Sequence, residues 1–181
     1  MQAIRRLFRP RAAHEAGRKL YAATAAQARQ PAFYLEGGVP DTNEGRFELY
    51  SLHVVLALHR LKGQGTEATE TAQALFDTYV RSLDLALREI GVGDLSVGKK
   101  MRKLGEAFYG RVRSYDAALA NLPETEPLVA VIGRTVYAEG GEAHAPALAR
   151  YAAAAAETLA AQPLAAVLEG RLEWPNFGEA T

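Results

Sequence analysis

The chain has 181 residues, 49% hydrophobic and 23% charged, with no cysteine and a formal net charge of zero. That size and balance describe one folded domain with a full core. They exclude a disordered chain, a disulfide scaffold and a thiolate metal site, and the missing cysteine fits a reducing, cytoplasmic compartment. The zero sum hides an asymmetry: residues 1–113 hold 18 Lys+Arg against 12 Asp+Glu, and residues 114–181 hold 3 against 9. Either the two halves attract one another within the fold, or one surface meets an anionic partner.

The opening "MQAIRRLFRPR" places Ile4, Leu7 and Phe8 on one helical face among Arg5, Arg6, Arg9 and Arg11, and Pro10 is expected to end the turn. Residues 1–12 therefore read as a basic, mobile N-terminal segment. It is too short and too poor in apolar residues for a secretory signal. It either frays or rests on an anionic surface, lipid headgroups or RNA. A single all-α domain is expected over 13–172, with a loose tail over 173–181 in which Trp174 and Phe177 are the residues able to dock.

Within that domain a first, alanine-rich helix is expected from His14 to Gln30. The loop "PAFYLEGGVPDT" follows, and Asp41 or Thr42 can cap a second helix over Asn43–Lys62. This second helix is apolar on most sides, as a buried central helix is. Its longest apolar stretch, Leu49–His59, has 11 residues, against the roughly 20 a membrane span needs. A third helix runs from Thr66 to Ile90, with Gly91 as its C′ residue. A fourth runs from Ser96 to Asn121, with Val97, Met101, Leu104, Phe108, Val112, Tyr115 and Leu119 as its inward stripe. Pro123 is expected to open a fifth helix reaching Tyr137. "ALARYAAAAAETLAAQ" and "PLAAVLEGRL" read as the sixth and seventh. The pattern predicts an all-α, single-domain orthogonal bundle of about six to seven helices.

The fourth helix is the basic one. Lys99, Arg102, Lys103 and Arg113 project opposite its apolar stripe, with Lys100 and Arg111 on its flanks. This strip is either a solvated face or a binding surface. Gly98 and Gly105 share one flank, where another helix could come close. The corner before it, Gly91, Gly93 and Asp94, reads as a structural helix–helix turn in which Asp94 caps free amides. It is not a phosphate loop, because the preceding strand and the remaining glycines are missing.

No catalytic residue and no metal site is expected. The four histidines lack metal-ligand spacing, and no nucleophile elbow or P-loop is present. No cofactor is implied.

Two stretches, Gln27–Leu61 and Leu87–Leu119, resemble the ubiquinol–cytochrome c chaperone family. That family includes the mitochondrial assembly factor of the cytochrome bc1 complex and its alphaproteobacterial relatives. The resemblance rests on Pro31 with Phe33 and Tyr34, "VPDT" at Val39–Thr42, "GRF" at Gly45–Phe47, Leu52–His53, "GVGD" at Gly91–Asp94 and "AFYGR" at Ala107–Arg111. It covers roughly Gly17 to Tyr137, with the alphaproteobacterial type as the better fit.

The resemblance implies a non-enzymatic chaperone that binds newly made cytochrome b for assembly into complex III. It would work in the cytoplasm, at the inner face of a bacterial inner membrane. Ribosome contact near the exit tunnel and peripheral contact with the anionic membrane surface are further implied partners, and DNA is not one. Candidate partner-binding residues are Phe33, Tyr34, Leu35, Val39 and Arg46 around the glycine-flexible loop. On the basic helix they are Lys99, Lys100, Arg102, Lys103, Tyr109, Arg111 and Arg113. Phe33 and Tyr34 have core packing as the alternative, and Arg46 a structural pairing with Asp41 or Asp94. The competing functions are a helical RNA- or ribosome-binding module and a small enzyme with an isoprenoid- or quinone-like ligand.

Overall fold

The computed structural model describes residues 2–138 and 140–180, with side chains from residue 11 onward. The elements are α1 (Gln2–Ala28), α2 (Pro31–Leu35), α3 (Asn43–Leu61), α4 (Thr66–Glu89), α5 (Asp94–Leu119), α6 (Glu126–Gly133), a 3-10 turn (Glu142–His144), α7 (Ala145–Ala161), α8 (Leu164–Leu168) and α9 (Phe177–Ala180). Among the described residues there is no strand, and the all-α bundle expected from periodicity is what forms.

α3 is the central helix. Leu49, Leu52, Val54, Val55 and Leu56 are each no more than 1% exposed, so opposite faces are buried at once, against α1, α4, α5 and α7. That is why its sequence lacks a clean polar face. Thr42 caps it, its hydroxyl accepting from the Gly45 amide at 3.1 Å. Gly45 is required by proximity, since a Cβ there would lie 2.1 Å from the Pro40 carbonyl oxygen. α1 lies along α4, and Gly17 is the close-approach glycine, with an added Cβ only 2.6 Å from Ala74. The expected close approach at Gly98 and Gly105 is not found, because nothing lies within 4 Å of either. Those two glycines sit on a part of α5 that extends past the core.

Several boundaries differ from the sequence reading. α1 runs through Pro10, which removes one amide donor without ending a helix whose flanking residues favour it. The orientation of Ile4, Leu7 and Phe8 lies outside the described residues. Pro31 opens a short helix inside the predicted loop. α6 starts at Glu126 with Pro127 in its first turn, so Pro123 does not open it, and Val136 and Tyr137 lie in the buried turn beyond. The tail is docked. Phe177 is 5% exposed and packs on Phe33 and Tyr151, and the Gln27 side-chain amide donates to the Pro175 carbonyl at 3.1 Å.

His53 sits at the centre of this core, completely enclosed. Its Nδ1 donates to the Leu49 carbonyl at 2.8 Å, which leaves Nε2 to accept from the Tyr151 hydroxyl at 2.9 Å. Tyr151 in turn accepts from Gln27 at 3.0 Å. Burial lowers the His53 pKa to about 4, so the ring is neutral.

Candidate functional site

Among the described residues a groove has a volume of about 1000 Å³. It opens between the end of α1, α2 with its following loop, the first turns of α3, and the outer halves of α4 and α5. Its walls are the parts of amphipathic stripes that the core leaves over. On α4, Leu75 and Tyr79 are fully buried, and the same stripe continues as Leu83, Leu87 and Ile90 into the groove. On α1, Tyr21, Ala25 and Ala28 follow at helical spacing. On α5, Leu104 lies beside Lys100 and Lys103.

The floor is aromatic. Tyr21 meets Tyr50 edge-on at 5.7 Å, and Tyr50 meets Tyr79 at 5.3 Å. The Tyr21 hydroxyl is hydrogen-bonded to the Ser82 hydroxyl and ties α1 to α4. The Tyr50 hydroxyl is buried without a hydrogen-bond partner among the described residues. Burial first, and Tyr21 second, push its pKa far above the usual tyrosine range. Tyr34 is held by its hydroxyl donating to the Ala28 carbonyl at 3.0 Å.

The lip is mainly cationic, with Arg29, Arg46, Lys100 and Lys103 against Asp41 and Glu44. Arg46 Nε donates to Asp41 Oδ1 at 2.6 Å, so Arg46 pairs with Asp41 and not with Asp94. That bond holds the Asp41 carboxyl below its usual pKa. Lys99, Lys100, Arg102, Lys103 and Arg113 are exposed and make no ion pair among the described residues.

The predicted surface residues separate into groups. Tyr34, Leu35, Arg46, Lys100 and Lys103 come together around the groove, with Leu35 83% exposed at its edge. Lys99, Arg102 and Arg113 are exposed on α5 but do not line it, and Tyr109, 58% exposed, stands beside Phe76. Phe33 and Val39 are in the core, Phe33 edge-on to His53 and Tyr151 at 5.1 and 4.8 Å. The short helix α2 turns Phe33 inward, which a flat loop would not. Arg111 is also occupied: Nε and Nη2 donate to Glu48 Oε2 and Oε1 at 2.7 and 2.6 Å.

At the corner, Gly91 adopts φ 83° and closes α4, with the Val92 amide reaching the Leu87 carbonyl and the Gly91 amide reaching that of Arg88. Gly93, at φ −64°, is the N-cap of α5 and uses no glycine-specific angle. Asp94 is not the expected cap. It lies one residue inside the helix, and its carboxylate turns to Arg88, which also binds Asp84.

The groove residues Tyr21, Phe47, Tyr50, Leu83 and Leu87 were legible only as stripe members. For Leu83 and Leu87 the signal was an apolar stripe on the third helix longer than one core needs. Among the described residues no group of three or more His, Asp or Glu side chains could hold a metal ion, and no helix is long and apolar enough to cross a membrane.

The comparisons agree with this architecture. A search of curated proteins finds no match. The crystal structure of the Cbp3 homolog from Brucella abortus is similar with a TM-score of 0.86 and 34% identity, over 99% of this chain and 98% of that one. The family model described as ubiquinol–cytochrome C chaperone matches residues 35–174, which include the α3, α4 and α5 walls of the groove. On that match and that likeness, the chain belongs to the ubiquinol–cytochrome c chaperone family.

Proposed function

We propose that the chain is a non-enzymatic assembly chaperone that holds newly made cytochrome b on its way into the bc1 complex, at the cytoplasmic face of the inner membrane. The observation that carries this reading is the apolar, aromatic-floored groove with a cationic lip. A membrane subunit emerging from synthesis exposes apolar helices that would otherwise aggregate. A groove lined by Tyr21, Phe47, Tyr50, Leu83 and Leu87 can receive one such face, as amphipathic helices are held elsewhere by apolar grooves. The lip cations favour clients that carry acidic or phosphate neighbours, and they speed encounter at low salt.

The test is a photoreactive amino acid in place of Leu35, at the groove edge, in the native bacterium. The expected product is a crosslink to cytochrome b. Deletion of the gene should remove haem-stained cytochrome b while leaving its transcript. A crosslink-free groove, with normal cytochrome b after deletion, would overturn the reading.

A second reading is favoured by one specific observation, the exposed Lys99, Arg102 and Arg113, which make no ion pair among the described residues. These suit ribosomal RNA near the exit tunnel. The signature is an affinity for ribosomes that falls steeply with salt and falls again on reversing these charges.

A further inference from the structure

The α4–α5 hairpin continues past the core. Between residues 84 and 106 only Val97 is buried. Added Cβ atoms at Gly91, Gly93, Gly98 or Gly105 would meet nothing within 4 Å. At the bend the apolar side chains face solvent: Leu95 is 102% exposed, Ile90 62% and Leu85 55%. A folded domain gains nothing by leaving Leu95 fully exposed beside the bend, so the placement calls for a partner.

Charge at the same tip selects the partner. Asp84 and Asp94 share Arg88, which offsets one of their two charges, and Glu89 stands exposed beside Ile90. Lys99, Lys100, Arg102 and Lys103 have no such partner among the described residues. At a helical rise of about 1.5 Å per residue, these four lie about 6 to 12 Å along α5 from Leu95. An apolar point with cations set back by that depth matches the order of a lipid surface, acyl boundary below and phosphates above. RNA would use the cations but would leave Leu95 and Ile90 uncovered. A rigid protein would need a pocket shaped to the convex tip, whereas lipid yields around it.

We propose that the tip of the α4–α5 hairpin docks on an anionic lipid surface, with Leu95 and Ile90 entering the headgroup–acyl boundary and Lys99, Lys100, Arg102 and Lys103 at the lipid phosphates. Ile90, Lys100 and Lys103 also line the groove. Docking therefore opens one end of the groove at the membrane. Only this last consequence rests on the client reading above.

The experiment uses the full chain and protein-free vesicles, so client capture cannot affect it. Sedimentation with vesicles of equal parts phosphatidylglycerol and phosphatidylcholine should recover the protein, and phosphatidylcholine alone should not. Leu95→Ser with Ile90→Ser, both exposed and so harmless to the fold, should weaken binding by about ten-fold while every cation remains. Lys99→Glu with Lys103→Glu should abolish it. In Leu95→Trp the indole emission should shift to the blue with anionic vesicles and not with a ribosomal RNA fragment. Failure to bind anionic vesicles, undiminished binding by the serine variant, or an unshifted tryptophan would each overturn the proposal. So would an RNA complex that depends on the cations while vesicle binding does not. The Leu35 crosslink to cytochrome b is read separately in cells, so either proposal can fail alone.

Discussion

Arg111 on α5 grips Glu48 on α3 through two parallel hydrogen bonds, 2.7 and 2.6 Å long, at the edge of the core. Glu48 keeps 12% of its side-chain surface exposed and Arg111 28%. The hydrogen bonds to Glu48, more than the charge itself, raise the Arg111 pKa. Removing one partner strands the other's charge in a poorly solvated place. Arg111→Ala or Glu48→Ala should each cost about 2 kcal/mol by urea denaturation, discounted from the fully buried case for the remaining exposure. A double-mutant cycle should return a coupling of at least about 1 kcal/mol. A coupling near zero would make the pair an ordinary surface contact.

His53 makes folding sensitive to acid. Its folded pKa is lowered to about 4 by burial, against about 6.5 in an unfolded chain. The unfolded state therefore binds the extra proton first. The contribution is complete at pH 7, falls as pH drops below about 6.5, and is fully lost below about 4. At pH 5 the loss should be about 2 kcal/mol. Since carboxylates titrate nearby in pH, the measurement is the stability difference between wild type and His53→Gln. That difference should shrink by this amount from pH 7 to pH 5. A pH-independent difference would show that His53 does not carry the effect.

Two glycines separate close approach from open space. Gly45→Ala puts a Cβ 2.1 Å from the Pro40 carbonyl oxygen, and should destabilise by at least about 2 kcal/mol because backbone must shift. Gly98→Ala meets nothing within 4 Å inside α5. It should stabilise by about 0.5 to 1 kcal/mol through lost unfolded-state freedom. Thermal melts of the two variants should move in opposite directions.

The C-terminal segment contributes to the fold. Phe177 is 5% exposed against Phe33 and Tyr151. Phe177→Ala should cost about 3 kcal/mol, and its denaturation midpoint should fall with an unchanged slope. A midpoint equal to wild type would mean that the tail undocks freely.

Asp94, exposed and bound to Arg88 without capping α5, should tolerate Asp94→Ala with no resolvable change in melting temperature. A clear drop would restore the capping role that the sequence suggested.

The helices, the central place of α3 and the basic face of α5 were determined by the sequence alone, because all are local. Periods of three and four residues, the Thr42 cap and the Gly91 stop act within one or two turns of chain. The same locality explains the errors. Asp94 read as a cap and Arg111 as a partner-binding cation because their partners, Arg88 across the corner and Glu48 on another helix, are set by packing angles that periodicity does not encode. Phe33 and Leu35 are two residues apart, yet one is buried and the other stands open, and only the turn of α2 against the core decides between them. The groove itself was a tertiary decision. The sequence supplied more apolar stripe than one core consumes, and the angle at which α4 and α5 leave that core turned the surplus into a site.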